Sequence, residues 1–328
     1  MKHLMLPAGF PPRRLPFYLA MEEWAARRLG DVADDLFFMW QVEPTVIFGR
    51  NQRIESEVDL DYCRQHNIQF YRRKSGGGCV FADMNNIMMS YITTADDVVT
   101  TFARYTGMVA AFLRSLGVEA DNTSRNDVLI QGRKVSGNAF YHLPGRCIAH
   151  GTMLYDTDLA HMARAITPSR SKLESKGVKS VESRITTIRE HLPELPIEEF
   201  KRLAVESLTD GQIILSQAQI EEIEAIERPY YDERWIYGSR VASTLSRTMR
   251  IEGSGEFHAD IDLRGNRIDR VNLSGDFFML ADLDEMILNH LRGIELTPAS
   301  VMAALEHADP SRAVPGLTRE ALTELLCN

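Results

Sequence analysis

Apolar and polar positions along this chain follow two rhythms, and the place of each predicts the elements. Helical spacing governs 16–29, where Phe17, Ala20, Met21 and Trp24 share a face, Pro16 sits in the tolerant first turn and Gly30 supplies a stop. The same spacing returns at 102–116, closed by Gly117, at 159–166, 198–208 and 217–226, and briefly at 59–66. β-Branched and aromatic residues over 36–49 read as two short strands around a turn at Glu43-Pro44. Further strands are expected at 68–71, from Cys79 onward, at 87–92 and at 148–155. Residues 127–131 and 135–140 predict a hairpin turning at Gly132, with Lys134 opening its second arm. Strands joined mostly by tight turns, with helices interspersed, predict an α/β chain of the α+β kind: a mixed, largely antiparallel sheet flanked by helices.

The stretch 229–238, PYYDERWIYG, reads as a boundary that divides a large unit, 1–230, from a small α+β unit, 231–328. Within the second part, 257–263 and 268–273 alternate around Gly265-Asn266, which signals a hairpin. A helical stretch at 283–291 follows. Thr297-Pro298 and Thr318 then read as caps of two final helices.

Composition narrows the class. At 328 residues, 44% hydrophobic and 25% charged, the chain is an ordinary globular protein. A net charge of −9 argues against a broad nucleic-acid surface, although a local basic pocket stays possible. No apolar run has membrane-span length, and the proline-broken N-terminus lacks a secretory apolar core. The expectation is a cytoplasmic monomer without nucleic-acid or membrane partners. Four cysteines without a CxxC pair predict neither a zinc site nor a disulfide framework, and Cys79 reads as a small buried residue at a strand start.

The chemistry concentrates in motifs that follow one another in order. RRKSGGGCVF at 72–81 offers cations, a hydroxyl and three glycines whose bare backbone can close around an anion. NDVLIQGRKVSGNAF at 126–140 adds a carboxylate and a lysine among small residues, and AHGTML at 149–154 adds a histidine beside a glycine. Together they predict a site that holds a phosphate-bearing molecule and stabilises developing negative charge. The polar, basic stretch 169–184, SRSKLESKGVKSVESR, reads as a mobile connection that orders over a bound phosphate-bearing molecule, when Lys172, Lys176, Lys179 and Arg184 gain a phosphate partner.

These motifs, with YLAMEEW near the start, Asn86, TVIFGRNQ at 45–52 and SKGVKSVESRIT, closely resemble the lipoate–protein ligase family over roughly residues 15–195. The resemblance implies a fold shared with biotin protein ligases and class II aminoacyl-tRNA synthetases. It implies a two-step reaction using ATP and Mg2+: lipoate, the substrate, is adenylated to lipoyl-AMP, and the lipoyl group then passes to a lysine of an apo lipoyl domain. Acceptors in the family are 2-oxoacid dehydrogenase acyltransferase subunits and the glycine-cleavage H protein. By resemblance Lys134 is the catalytic cation. Arg73, Ser75, Gly76, Gly77, Gly78, Asn86, Asp127, Lys176 and Arg184 bind ATP or adenylate, with Arg72 left between a binding and a structural role. His150, Gly137, Ala139 and Gly151 line the lipoate pocket, and Asp127 is the candidate metal contact. The chain departs from the family pattern at Ala82, Asn85 and Tyr141. Two rivals are weighed: an octanoyl or lipoyl transferase with a cysteine nucleophile and no ATP, for which Cys79 and Cys147 are the nearby thiols, and a non-catalytic lipoate or adenylate binder. A biotin ligase is disfavoured because its arginine-and-glycine loop is absent.

Overall fold

The computed structural model describes residues 1–28, 35–94, 98–123, 126–166, 184–238 and 243–328. Gly30, Lys172, Lys176, Lys179 and the rest of the expected closing segment up to 183 lie outside the described residues. The first ten strands are β1 (Lys2–Met5), β2 (Asp35–Trp40), β3 (Thr45–Phe48), β4 (Gln69–Arg72), β5 (Val80–Ala82), β6 (Asn86–Thr93), β7 (Ala120–Asn122), β8 (Asp127–Ile130), β9 (Arg133–Leu143) and β10 (Arg146–Leu154). The last four are β11 (Gln212–Ile214), β12 (Leu245–Ile251), β13 (Gly255–Arg264) and β14 (Arg267–Gly275).

Among the described residues they build one eight-stranded sheet, β11-β1-β2-β6-β10-β9-β8-β7, and two of three strands, β4-β3-β5 and β12-β13-β14. In the large sheet β11–β1 and β1–β2 run parallel and the other neighbours antiparallel, so the expected mixed, largely antiparallel sheet is found. The two strands expected over 36–49 exist but do not form a hairpin. β2 already has β1 and β6 on its two edges, so β3 pairs with β4 and β5 in the small sheet. The hairpin at Gly132 is as expected, with φ of 49° at Gln131 and 77° at Gly132. Both turn residues thus take the left-handed twist that matches a two-residue hairpin.

Period-two alternation divides the core between the faces of this sheet. Leu36, Phe38 and Trp40 of β2, with Met88 and Ile92 of β6, pack on the helix Leu15–Arg28 and the small sheet. Phe37, Ile87, Met89 and Tyr91 point the other way, towards the helices Val98–Ser115 and Ile197–Leu208. Both inner strands are therefore apolar on both faces, which explains their nearly continuous hydrophobic runs.

β12–β14 and the helices Pro298–Ala304 and Arg319–Cys327 enclose a third core. Thr297 and Thr318 accept from the amides of Ser300 and Ala321, the capping expected of them. The stretch 283–291 winds as a π-helical turn, Asp284–Leu288, before Asn289–Leu291. This C-terminal unit rests on the glycine loop. Gly275 N–H donates to Asn51 O at 2.8 Å, Gly77 N–H donates to Phe277 O at 3.0 Å, and Arg53 pairs with Asp260. No described helix is long and apolar enough to cross a membrane.

Candidate active site

The glycine loop joins β4 to β5, and two arginines shape it from beneath. Arg72, 5% exposed, donates to the carbonyls of Arg50 and Gln52 at 2.8 and 2.7 Å and to those of Trp235 and Ile236 at 2.8 and 2.9 Å. The stretch 229–238, read as a boundary, holds part of a 3-10 turn, Arg228–Tyr231, and the short helix Glu233–Tyr237, which that guanidinium ties to the loop. Arg73, 4% exposed, donates to Ser75 Oγ at 2.8 Å, Ile47 O at 3.1 Å, Gly76 O at 2.6 Å and Gly78 O at 2.7 Å. Burial pulls its guanidinium down to about 10, which leaves it charged at neutral pH. The guanidinium expected on a nucleotide phosphate is therefore occupied by the loop's own carbonyls.

Gly76 and Gly77 are needed for close approach. A Cβ on Gly76 would lie 2.6 Å from Phe277 O, and one on Gly77, at φ +83°, would lie 2.7 Å from the Phe278 ring. The loop amide expected to face an anion, Gly77 N–H, here meets the Phe277 carbonyl.

β8 and β9 place the charged cluster. Asp127 stands opposite Gly137, and a bulge at Val128/Leu129 brings Lys134 round to it. Lys134 Nζ lies 2.7 Å from Asp127 Oδ1, and Arg184 Nη2 lies 2.8 Å from Asp127 Oδ2. The lysine stem lies flat across Gly137, where a Cβ would meet Nζ at 2.5 Å.

β10 places His150 between two partners. Its Nδ1 is 2.8 Å from Glu22 Oε2 and its Nε2 is 2.8 Å from Ser75 Oγ. A carboxylate only accepts, so Nδ1 carries the proton; Ser75, which already accepts from Arg73, has its own hydrogen free for Nε2. Ser90 Oγ donates to Glu22 Oε1 at 2.5 Å and accepts from Trp40 Nε1 at 3.0 Å. The order Ser–His–Glu has the connectivity of a nucleophilic triad. Ser75 is only 2% exposed and does not line the cavity, so the chain fixes the loop and the imidazole instead of presenting a nucleophile.

These groups surround a cavity of about 680 Å³. Of the expected site residues, Arg73, Gly77, Gly78, Asp127, Lys134, Gly137, Ala139, His150, Gly151 and Arg184 line it. Ser75 and Gly76, in the same loop, do not line it. Asn86, fully buried, donates to Phe81 O at 2.8 Å and also stands off the cavity, so it braces the strand after the loop. Lys176 lies outside the described residues. Apolar side chains, among them Leu19, Trp40, Met88 and Met162, line the rest of the catalytic side. Among the described residues no group of three His, Cys, Asp or Glu side chains could hold a metal.

Sequence reasoning missed Glu22, although a charge inside the apolar run YLAMEEW is a readable signal. It also missed that Arg250, Ser254 and Phe278 of the C-terminal unit close the cavity, with Phe278 stacked on Phe140 at 5.3 Å. Contacts so distant in sequence leave no local pattern. The departures from the family pattern are accommodated structurally. Ala82 is fully buried and Asp83 accepts from the amides of Asn85 and Asp158 at 2.9 and 3.0 Å. Tyr141 is half-buried, and burial pushes its phenol up.

The family pattern described as lipoyl protein ligase A/B catalytic domain matches residues 15–209, and the bacterial lipoate protein ligase C-terminus matches 241–326. The chain belongs to the lipoate–protein ligase family. Lipoate-protein ligase LplJ of Bacillus subtilis is 31% identical over 319 residues, covering 94% of this chain and 95% of the relative. A lipoate–protein ligase of Streptococcus pyogenes is 32% identical over 321 residues, 94% of each chain. Among solved folds, P. falciparum LipL1, a lipoate complex, superposes with a TM-score of 0.77 at 16% identity, covering 96% and 95% of the two chains. An ATP-bound lipoate-protein ligase A gives 0.63 at 22% identity, covering 72% of this chain and 98% of that one. At those identities the likeness is one of fold. The protein is thus an enzyme of this family, built on its mixed-sheet architecture.

Proposed function

We propose that this enzyme uses ATP to convert lipoate to lipoyl-AMP and then transfers the lipoyl group to a lysine of apo lipoyl domains, those of 2-oxoacid dehydrogenase complexes and the glycine-cleavage H protein. One observation carries the reading: a lysine and an arginine are clamped on a single carboxylate in a cavity that also has an apolar stretch, with Leu19, Trp40, Met88 and Met162 among its lining. The apolar part suits an acyl chain, and the cations suit the charge that gathers where carboxylate oxygen meets phosphorus. In the first step the carboxylate attacks the α-phosphorus and pyrophosphate leaves. Lys134 bridges carboxylate and phosphate, and its positive charge is worth most in a site shielded from water. In the second step the acceptor amine attacks the acyl carbon and AMP leaves.

Gly77 and Gly78 face the nucleotide, Arg73 and Ser75 act by holding the loop in shape, and His150, Gly151 and Ala139 bound the acyl pocket. Magnesium is usually bound through one or two carboxylates together with substrate phosphates. Asp127 supplies one such carboxylate beside Lys134, which fits an ion that arrives on ATP better than a preformed cage. We take the enzyme to be a monomer of the cytoplasm, where its four free cysteines would stay reduced. We take 1–230 as the catalytic domain and 231–328 as an accessory domain that lends one wall.

Lipoate-dependent exchange of labelled pyrophosphate into ATP, without any acceptor protein, tests the first step. Exchange that requires lipoate supports adenylation; no exchange, with acyl transfer still occurring, would shift the reading to the thiol-dependent transferase.

A further inference from the structure

The cavity's C-terminal wall carries a cation with a buried N–H that no hydrogen bond among the described residues satisfies. Four cationic side chains line the cavity among the described residues: Arg73, Lys134, Arg184 and Arg250. Arg73 is tied to carbonyls, and Lys134 and Arg184 share Asp127. Arg250 is different. It sits near the end of β12, partly buried, and its Nη1 is shielded from solvent without a hydrogen-bond partner. Its neighbour across the strand pair, Glu256, lies with a carboxylate oxygen 3.4 Å from His258 Nε2 instead. In the turn that follows, Ser254 also lines the cavity; it is 9% exposed, and its Oγ has no partner either. The acidic residue of this wall, Asp276, turns Oδ1 onto the amide of Glu256 at 2.7 Å.

An unpaired guanidinium N–H and an unpaired hydroxyl shielded from water are costly unless a ligand completes them. The charges indicate which ligand. Among the described residues, Lys134 and Arg184 against Asp127 leave one net positive charge, enough for a carboxylate or a single phosphate. A nucleoside triphosphate carries several more negative charges, and its outer phosphates need a further cation.

We infer that Arg250, assisted by the Ser254 hydroxyl, is a binding residue for the β- and γ-phosphates of ATP, so that the C-terminal unit holds the part of the nucleotide that leaves as pyrophosphate. This rests on the adenylation reading above and deepens it. Lipoyl-AMP has no outer phosphates, so the Arg250 contact acts in the first step alone.

The test compares the full-length wild type with Arg250→Ala and Arg250→Lys. A charge-assisted hydrogen bond lost from a phosphate weakens binding about tenfold to a hundredfold. Arg250→Ala should raise KM for ATP in the exchange reaction by that factor and weaken calorimetric binding of inorganic pyrophosphate equally. AMP binding and lipoyl transfer from synthetic lipoyl-AMP should stay at wild-type level, and Arg250→Lys should restore part of the loss. An unchanged ATP KM, or an equal loss in transfer from lipoyl-AMP, would overturn the inference; the latter would assign Arg250 to the acceptor domain or to the fold. If the wild type binds pyrophosphate through Arg250 but performs no lipoate-dependent exchange, the adenylation reading fails and the phosphate site stands.

Discussion

Replacing Glu22 with alanine should weaken both the fold and the acyl pocket, by an amount that follows from its partners. The carboxylate is 3% exposed. It lies 2.8 Å from His150 Nδ1 and accepts from Ser90 Oγ at 2.5 Å. Alanine leaves both donors buried with nothing to accept them, and each such group costs about 1–3 kcal/mol. The sum, about 2–6 kcal/mol, is a large share of the 5–15 kcal/mol typical of a folded domain. Glutamine keeps the size and one acceptor, so about half the loss should return. Trp24 and Trp40 lie within 1–230, and Trp235 donates to Arg72 O at 3.0 Å, so urea unfolding followed by tryptophan fluorescence reports on the part that matters. The imidazole would also lose the group that orients it, and KM for lipoate in the exchange reaction should rise in Glu22→Ala. Stability within about 0.5 kcal/mol of wild type and an unchanged lipoate KM would refute the view that Glu22 anchors His150 and, through Ser75, the glycine loop.

Lys134→Ala should lower adenylation about a hundredfold or more, since one cation aimed at developing charge is worth about that, while urea stability changes little; exchange at near wild-type rate would remove Lys134 from the chemistry. Cys79→Ala and Cys147→Ala should each keep ligation, because an ATP-activated acid needs no thioester. Cys147 is fully buried and off the cavity, whereas Cys79 lines it, so Cys79→Ala is the informative variant. Loss of activity in Cys79→Ala together with an acyl-enzyme seen by mass would favour the thiol transferase.

Much of the fold was legible because its elements are locally determined. The hairpin around Gly132 needs left-handed turn residues that the sequence supplies, and the helices capped by Thr297 and Thr318 carry their own start signals. β1, β7, β11 and β12 went unread. The first three are four residues or fewer, too short for a period to emerge, and β12 alternates only weakly, with Arg247 and Arg250 within it. The separation of β2 from β3 depends on which strand edges are already taken, which no local pattern encodes. In the site, Asp127, Lys134, Arg184 and His150 converge on one cavity as the motif order implied. The occupation of Arg73 by carbonyls, the burial of Asn86 and the contribution of Arg250 depend on the path of distant backbone, so the sequence conceals them.

Intact mass of an apo lipoyl domain incubated with the enzyme, lipoate, ATP and Mg2+ tests the central claim most directly. The account predicts one lipoyl increment on the domain, absent when ATP is omitted, with AMP and pyrophosphate released in equal amounts. A lipoyl domain that gains no mass under these conditions, or gains it equally without ATP, would contradict it.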